Sequence, residues 1–158
     1  MMWFVMVWLL KSLKRTKKKT EKYKKNMKIW LNLDIAHERW KNEIPDIEAY
    51  SEKVKETAFS YAFAHDSEVR EILNTCNFAV NVRLSDDAEV WRLNKEFRGM
   101  DKPTNVLSFA NLDFADFEAN PKEETTELGD IIIAFETMRK EAEIENITVG
   151  KALGVVFK

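Results

Sequence analysis

Hydrophobic and polar positions first fall into a regular pattern at KIWLNLDI. Ile29, Leu31, Leu33 and Ile35 alternate with Trp30, Asn32 and Asp34. That period of two predicts a strand with one buried face. After Pro45 the period lengthens. Ile47, Tyr50, Val54, Ala58 and Tyr61 recur at helical spacing and predict a helix to about Ala64. Alternation returns in FAVNVRLS through Phe78, Val80, Val82 and Leu84, a second strand. Ser85 and Asp86 are good N-cap residues for a following helix. Its apolar positions are Val90, Leu93 and Phe97, and Gly99 is placed to end it. TNVLSFANL predicts a third strand, and an acidic stretch to Glu127 with Pro121 predicts a loop. LGDIIIAF is almost continuously apolar, as expected of a fourth strand buried on both faces. ETMRKEAEIE predicts a helix. The order is β-α-β-α-β-β-α, an α+β fold with a mixed sheet of about four strands and helices packed on it. The tail ITVGKALGVVFK, with Gly150 and Gly154, fits neither a clean strand nor a clean helix.

Charge divides the chain unevenly. The net charge is −2, yet residues 11–28 carry ten Lys or Arg and one acid, Glu21. The other residues hold 15 bases and 26 acids, a balance of −11. An acidic body is a poor general nucleic-acid surface, so any RNA contact on it must be local. Ahead of the basic run stands MMWFVMVWLL, about ten apolar residues against the roughly 20 needed to span a bilayer, so stable membrane insertion is not expected. It also lacks the leading positive charge and small-residue cleavage site of a secretory signal. Residues 1–26 therefore read either as a basic anchor for an anionic surface or as sequence outside the native domain. The second reading is favoured, because a strand begins directly after Met27. Residues 27–158 then form one domain. Its 158-residue chain has one cysteine, Cys76, which rules out an internal disulfide framework and fits a reducing compartment. Cys76 precedes an apolar run and reads as an inert thiol.

Little in the chain announces chemistry. His37 and His65 are far apart, and Lys41 stands where a second zinc-binding His would follow His37. VGKALG has a Gly-Lys pair, but Glu145 and Ala152 occupy positions that a phosphate-binding loop reserves for Gly and for Ser or Thr. What remains is FRGMDKPTNVLSF, Phe97 to Phe109. By spacing alone, Arg98 is a cation at a helix C-terminus, stabilised by the macrodipole, and DKPT is a turn whose Pro103 leads into the strand.

The wider pattern LNKEFRGMDKPTNVLSF, followed after the acidic loop by LGDIII, closely resembles the YbeY family of bacterial zinc-dependent endoribonucleases. The likeness covers roughly residues 27–147. It implies a cytoplasmic protein of ribosomal RNA maturation and quality control, acting on single-stranded RNA at the 3′ end of the small-subunit RNA. Its implied partners are ribosomal RNA, the small ribosomal subunit and a ribosome-assembly GTPase. Arg98 matches the family's arginine of catalysis or RNA binding, so the resemblance implies that Arg98 is the catalytic residue. A guanidinium is planar, permanently charged and able to donate two parallel hydrogen bonds to a phosphate. The resemblance places Lys102, Thr104, Asn105, Ser108 and Asp130 about the substrate cleft. Asp130 there either hydrogen-bonds a neighbouring group or caps the turn.

One zinc ion is the family's cofactor, held by histidines of an HGxLHLxGxDH motif after a segment like ENIT. This chain continues ENITVGKALGVVFK, so its metal ligands are expected to be absent and the domain to be C-terminally truncated, lacking the metal-binding helix and inactive. A non-catalytic ribosome-binding module and a non-functional frameshifted fragment are the alternatives. The fragment reading makes a structural forecast: parts of Val106, Leu107, Ile131 and Ile133 should be exposed on an uncovered sheet.

Overall fold

The computed structural model describes residues 28–73, 77–111 and 125–156. The leader at 1–26, Cys76 and the acidic loop around Pro121 lie outside the described residues. Four strands form one sheet: β1 (Ile29–Ile35), β2 (Asn77–Ser85), β3 (Val106–Ala110) and β4 (Thr125–Ala134). Their order is β1-β2-β4-β3. β1, β2 and β4 run parallel, and β3 pairs antiparallel with β4 at one edge. Three helices connect β1 to β2: α1 (Arg39–Glu43), α2 (Ile47–His65) and α3 (Ser67–Leu73). α4 (Asp87–Arg98) follows β2, and α5 (Phe135–Ile144) and α6 (Val149–Val156) follow β4. The α+β class and mixed four-stranded sheet are as the pattern predicts. The element order is longer than predicted, since α1, α3 and α6 are added. α1 and α3 are short, at five and seven residues, too brief for a periodic signal to stand out.

The period-two strands turn their apolar side to one large core. Phe78, Val80, Val82 and Leu84 from β2 meet Ile131 and Ile133 from β4, and the alternate residues of β1 pack beside them. α2 lays a stripe on this face through Ile47, Ala58, Phe59 and Ala62. Trp40 of α1 is wholly buried, edge-on to Phe135 at 5.1 Å between ring centres. Its indole N–H donates to the Ser85 carbonyl at 2.9 Å, so the buried ring leaves no orphaned donor. On the other face α4 covers β3 and β4 with a smaller core of Val90, Leu107, Ile132 and Ala134. β4 is thus buried on both faces, as its apolar run predicts.

Two expectations are corrected. The tail is helical over Val149–Val156: Val149, Ala152, Leu153 and Val156 are its buried positions, at the i, i+3, i+4, i+7 spacing of one helical face. Gly150 and Gly154 obscured that stripe. Both lie against Tyr50, where an added Cβ would be 3.6 and 3.4 Å from the ring or its hydroxyl. The Tyr50 hydroxyl donates to the Gly150 carbonyl at 2.6 Å, which ties α6 to α2. The forecast of an uncovered sheet also fails. Leu107, Ile131 and Ile133 are buried and Val106 is half-buried, because α6 joins the main core and α4 covers the second.

Candidate nucleic-acid interface

The candidate site begins with how α4 starts and stops. The Asp86 side chain accepts from the Glu89 N–H at 2.9 Å, which fills the N-cap role expected of it. At the other end Gly99 adopts φ 66°, ψ 15°, a left-handed conformation that glycine reaches without a Cβ clash. The helix stops there, leaving Arg98 as its last residue, exposed at the surface.

The next residues would form an ordinary polar loop but for three side-chain contacts that fasten them to α4. The buried Asn94 side chain donates to the Lys102 carbonyl at 2.8 Å. Asp101 accepts from the Trp91 indole at 2.8 Å through one oxygen and from Lys95 at 2.8 Å through the other. The hydrogen bond from Lys95, then that from Trp91, holds the Asp101 carboxyl below its ordinary pKa. Arg98 and Lys102 have no ion pair among the described residues, unlike Arg92 and Lys95. The C-terminus of a helix carries partial negative charge. Any attraction for an anion here therefore rests on these two side chains and not on the helix.

Asn105 sits where the loop becomes β3. Its carbonyl accepts from Ala134 N–H at 2.8 Å, and its side chain donates to Glu141 of α5 at 2.7 Å. Thr104 is half-buried, with its hydroxyl 3.5 Å from the Val106 carbonyl. Ser108 lies between Val106 and Ala110 and shares their face, which packs on the main core. Asp130 lies on the opposite face, because it alternates with Ile131 of that core and shares its side with Ile132. The structure therefore divides the predicted residues. Arg98 and Lys102 lie at the end of α4, Thr104 and Asn105 at the start of β3, and Ser108 and Asp130 on opposite sides of the sheet.

Asp130 belongs to a polar row across the sheet. Asn32 donates to Asn81 at 2.8 Å, and Asn81 donates to Asp130 at 2.9 Å. The strand register places Asn32, Asn81, Asp130 and Phe109 at one level. Asp130 therefore accepts a hydrogen bond from its neighbour on β2. The row floors an open groove of about 670 Å³ beside α4, where Arg83 bonds to Asp34 and Glu89. Burial alone would raise the Glu89 pKa, but hydrogen bonds from Ser85 and Arg83 prevail and lower it. Trp91, Lys95 and Asp101 were missed in the sequence because nothing in their spacing marks them. The asparagines were legible only as the polar half of two alternating strands.

The zinc implied by the resemblance finds no fit among the described residues: no three His, Cys, Asp or Glu converge as a metal site. His37 lies against the Arg39 side chain, and the His65 ring is 2.9 Å from the Tyr61 carbonyl, in separate places.

The fold is thus an α+β sheet with helices on both faces, and at its fastened helix-to-strand turn the Arg98 guanidinium has no ion pair among the described residues. The profile described as Endoribonuclease YbeY matches residues 12–157, and the chain belongs to that family. The chain is 36% identical over 121 residues to Endoribonuclease YbeY of Paramagnetospirillum magneticum, covering 77% of this chain and 68% of that protein. It is 42% identical over 111 residues to the protein of that name from Bradyrhizobium diazoefficiens, 70% of this chain and 55% of the relative. For Sphingopyxis alaskensis the figure is 49% over 72 residues, 44% and 43% of the two chains. The chain thus spans between about two-fifths and two-thirds of the length of these relatives. Among the described residues, no helix is long and apolar enough to cross a membrane.

Proposed function

We propose that this chain is an RNA-engaging domain of the single-strand-specific endoribonuclease type, serving ribosomal RNA maturation and quality control in the cytoplasm. The observation that carries this reading is the Arg98 guanidinium, exposed and without an ion pair among the described residues, at a turn that Asn94 and Asp101 hold in place. A guanidinium so held donates two parallel hydrogen bonds to one phosphodiester, and Lys102 adds a second charge four residues on. The described residues supply no zinc donor set, so the reading assigns Arg98 and Lys102 the holding of phosphate and no bond-breaking step. The substrate proposed is the 3′ end of small-subunit ribosomal RNA, and the partners proposed are the small ribosomal subunit and a ribosome-assembly GTPase. Family membership supports these assignments.

Binding of a fluorescein-labelled single-stranded RNA, followed by anisotropy across a salt series, tests the reading. Each phosphate contact on a single strand contributes a slope of about −0.7 in log K against log salt. Arg98→Ala should weaken binding and flatten the slope by about that amount. Equal affinity and slope for Arg98→Ala would overturn the reading.

A further inference from the structure

The same helix carries a feature that the phosphate contact does not use. Trp91 precedes Arg98 by seven residues, which in an α-helix places the two about 20° apart around the axis and roughly 10 Å apart along it. Lys95 falls between them. The Trp91 side chain is 45% exposed, a large apolar surface to leave in water. It is also held: its indole N–H donates to Asp101 Oδ1 at 2.8 Å, while Asp101 Oδ2 binds Lys95 at 2.8 Å. Asp101 is thereby charge-matched by Lys95 and does not repel an approaching polyanion. With its one polar group already satisfied, the exposed part of the indole is apolar ring surface. An aromatic ring on one helical strip with Arg98, which has no ion pair among the described residues, is the combination that single-stranded nucleic acid recognises, with aromatic planes for bases and positive charge for the backbone.

We propose that Trp91 is a base-stacking subsite for single-stranded RNA, set by Asp101, on the same strip of α4 as Arg98. This deepens the reading above and rests on it. Arg98 holds a phosphate, and Trp91 takes a nucleobase two helical turns away. Stacking is tolerant of base identity because every base has a π-face, so the subsite adds affinity without reading sequence. Asp101 acts through Trp91 as a positioning residue.

The test compares the full chain with Trp91→Ala, Trp91→Phe and Arg98→Ala. Each is titrated with a labelled uridine 12-mer and with a matched 12-mer in which all bases are replaced by abasic sites. Circular dichroism melts confirm that each variant is folded. Trp91→Ala should weaken binding to the uridine strand by about five-fold or more, the lower end of the effect of removing a stacking aromatic. It should leave binding to the abasic strand unchanged, and Trp91→Phe should recover most of the loss. A general disturbance of α4 would weaken both strands alike, and that result overturns the proposal. So does an unchanged affinity of Trp91→Ala for the uridine strand. If Arg98→Ala still weakens both strands in that case, the phosphate reading survives while the stacking subsite falls. If neither variant changes binding to either strand, both readings fall.

Discussion

The two faces of the sheet are built from the same four strands and serve different ends. One face is sealed by α1, α2, α3, α5 and α6 around Trp40, Phe78, Ile133 and Phe135. Among the described residues the other is covered by α4 alone, over Val90, Leu107, Ile132 and Ala134, and beyond α4 it opens into the row of Asn32, Asn81 and Asp130. The sealed face carries the folding free energy, since apolar area removed from water dominates it. The half-open face carries the polar groups that remain available, and α4 divides the two regimes. One side of α4 is core, while its end presents Arg98 and its flank Trp91.

Breaking the sealed face should have the largest effect. Trp40→Ala removes a wholly buried ring and leaves the Ser85 carbonyl without its donor, so it should destabilise the fold by about 3–5 kcal/mol in chemical denaturation. Gly129 tests the seam between β3 and β4. It has φ 140°, and an added Cβ would collide with the Phe109 carbonyl oxygen. Gly129→Ala should destabilise by at least about 2 kcal/mol and free β3, read as faster amide exchange across Val106–Ala110. Asn94→Ala cuts the buried tie to the Lys102 carbonyl and should lower stability by about 1–2 kcal/mol. Because that tie holds the turn after Arg98, it should also weaken RNA binding in the anisotropy titration.

Acid gives a smaller, graded test. Burial works against ionisation of Glu89 and Glu136. The bonds from Ser85 and Arg83 on one, and from the Asp87 backbone and Arg39 on the other, still leave both with lowered pKa values. A depressed carboxylate contributes stability above its unfolded pKa and loses it as pH falls through the folded one. Melting temperature should therefore hold from neutral pH down to the ordinary glutamate range of about 4.3 and fall below it. Glu89→Gln should shrink that acid-side loss. The mildest change is Asn81→Ala, at a half-buried position of the polar row. It should alter stability by about 1 kcal/mol or less, since Asn81 and Asp130 are only half-buried and water can replace the bonds that are lost. A larger loss would mean that the open face is also structural.

Much of the fold can be read from periodicity. β1 and β2 alternate as predicted, β4 is buried on both sides, and α4 begins after Asp86 and ends at Gly99. α6 was missed because glycine carries a low helix propensity and two of them interrupt an otherwise regular stripe. Tertiary contact with Tyr50 and the main core outweighs that propensity. The candidate site was legible only in part. RGMDKPTN marked the turn and Arg98, but spacing could not show that Ser108 and Asp130 point to opposite sides of the sheet.

By itself, the sequence determined which residues alternate, where α4 stops and that Arg98 stands at that stop, because backbone sterics and periodicity act locally. Tertiary structure alone decided that Asp101 would grip both Trp91 and Lys95. It also decided that Asn32, Asn81 and Asp130 would stand at one level. Those groupings depend on strand register and on the path of a loop back to its helix, both fixed by burial of side chains distant in sequence.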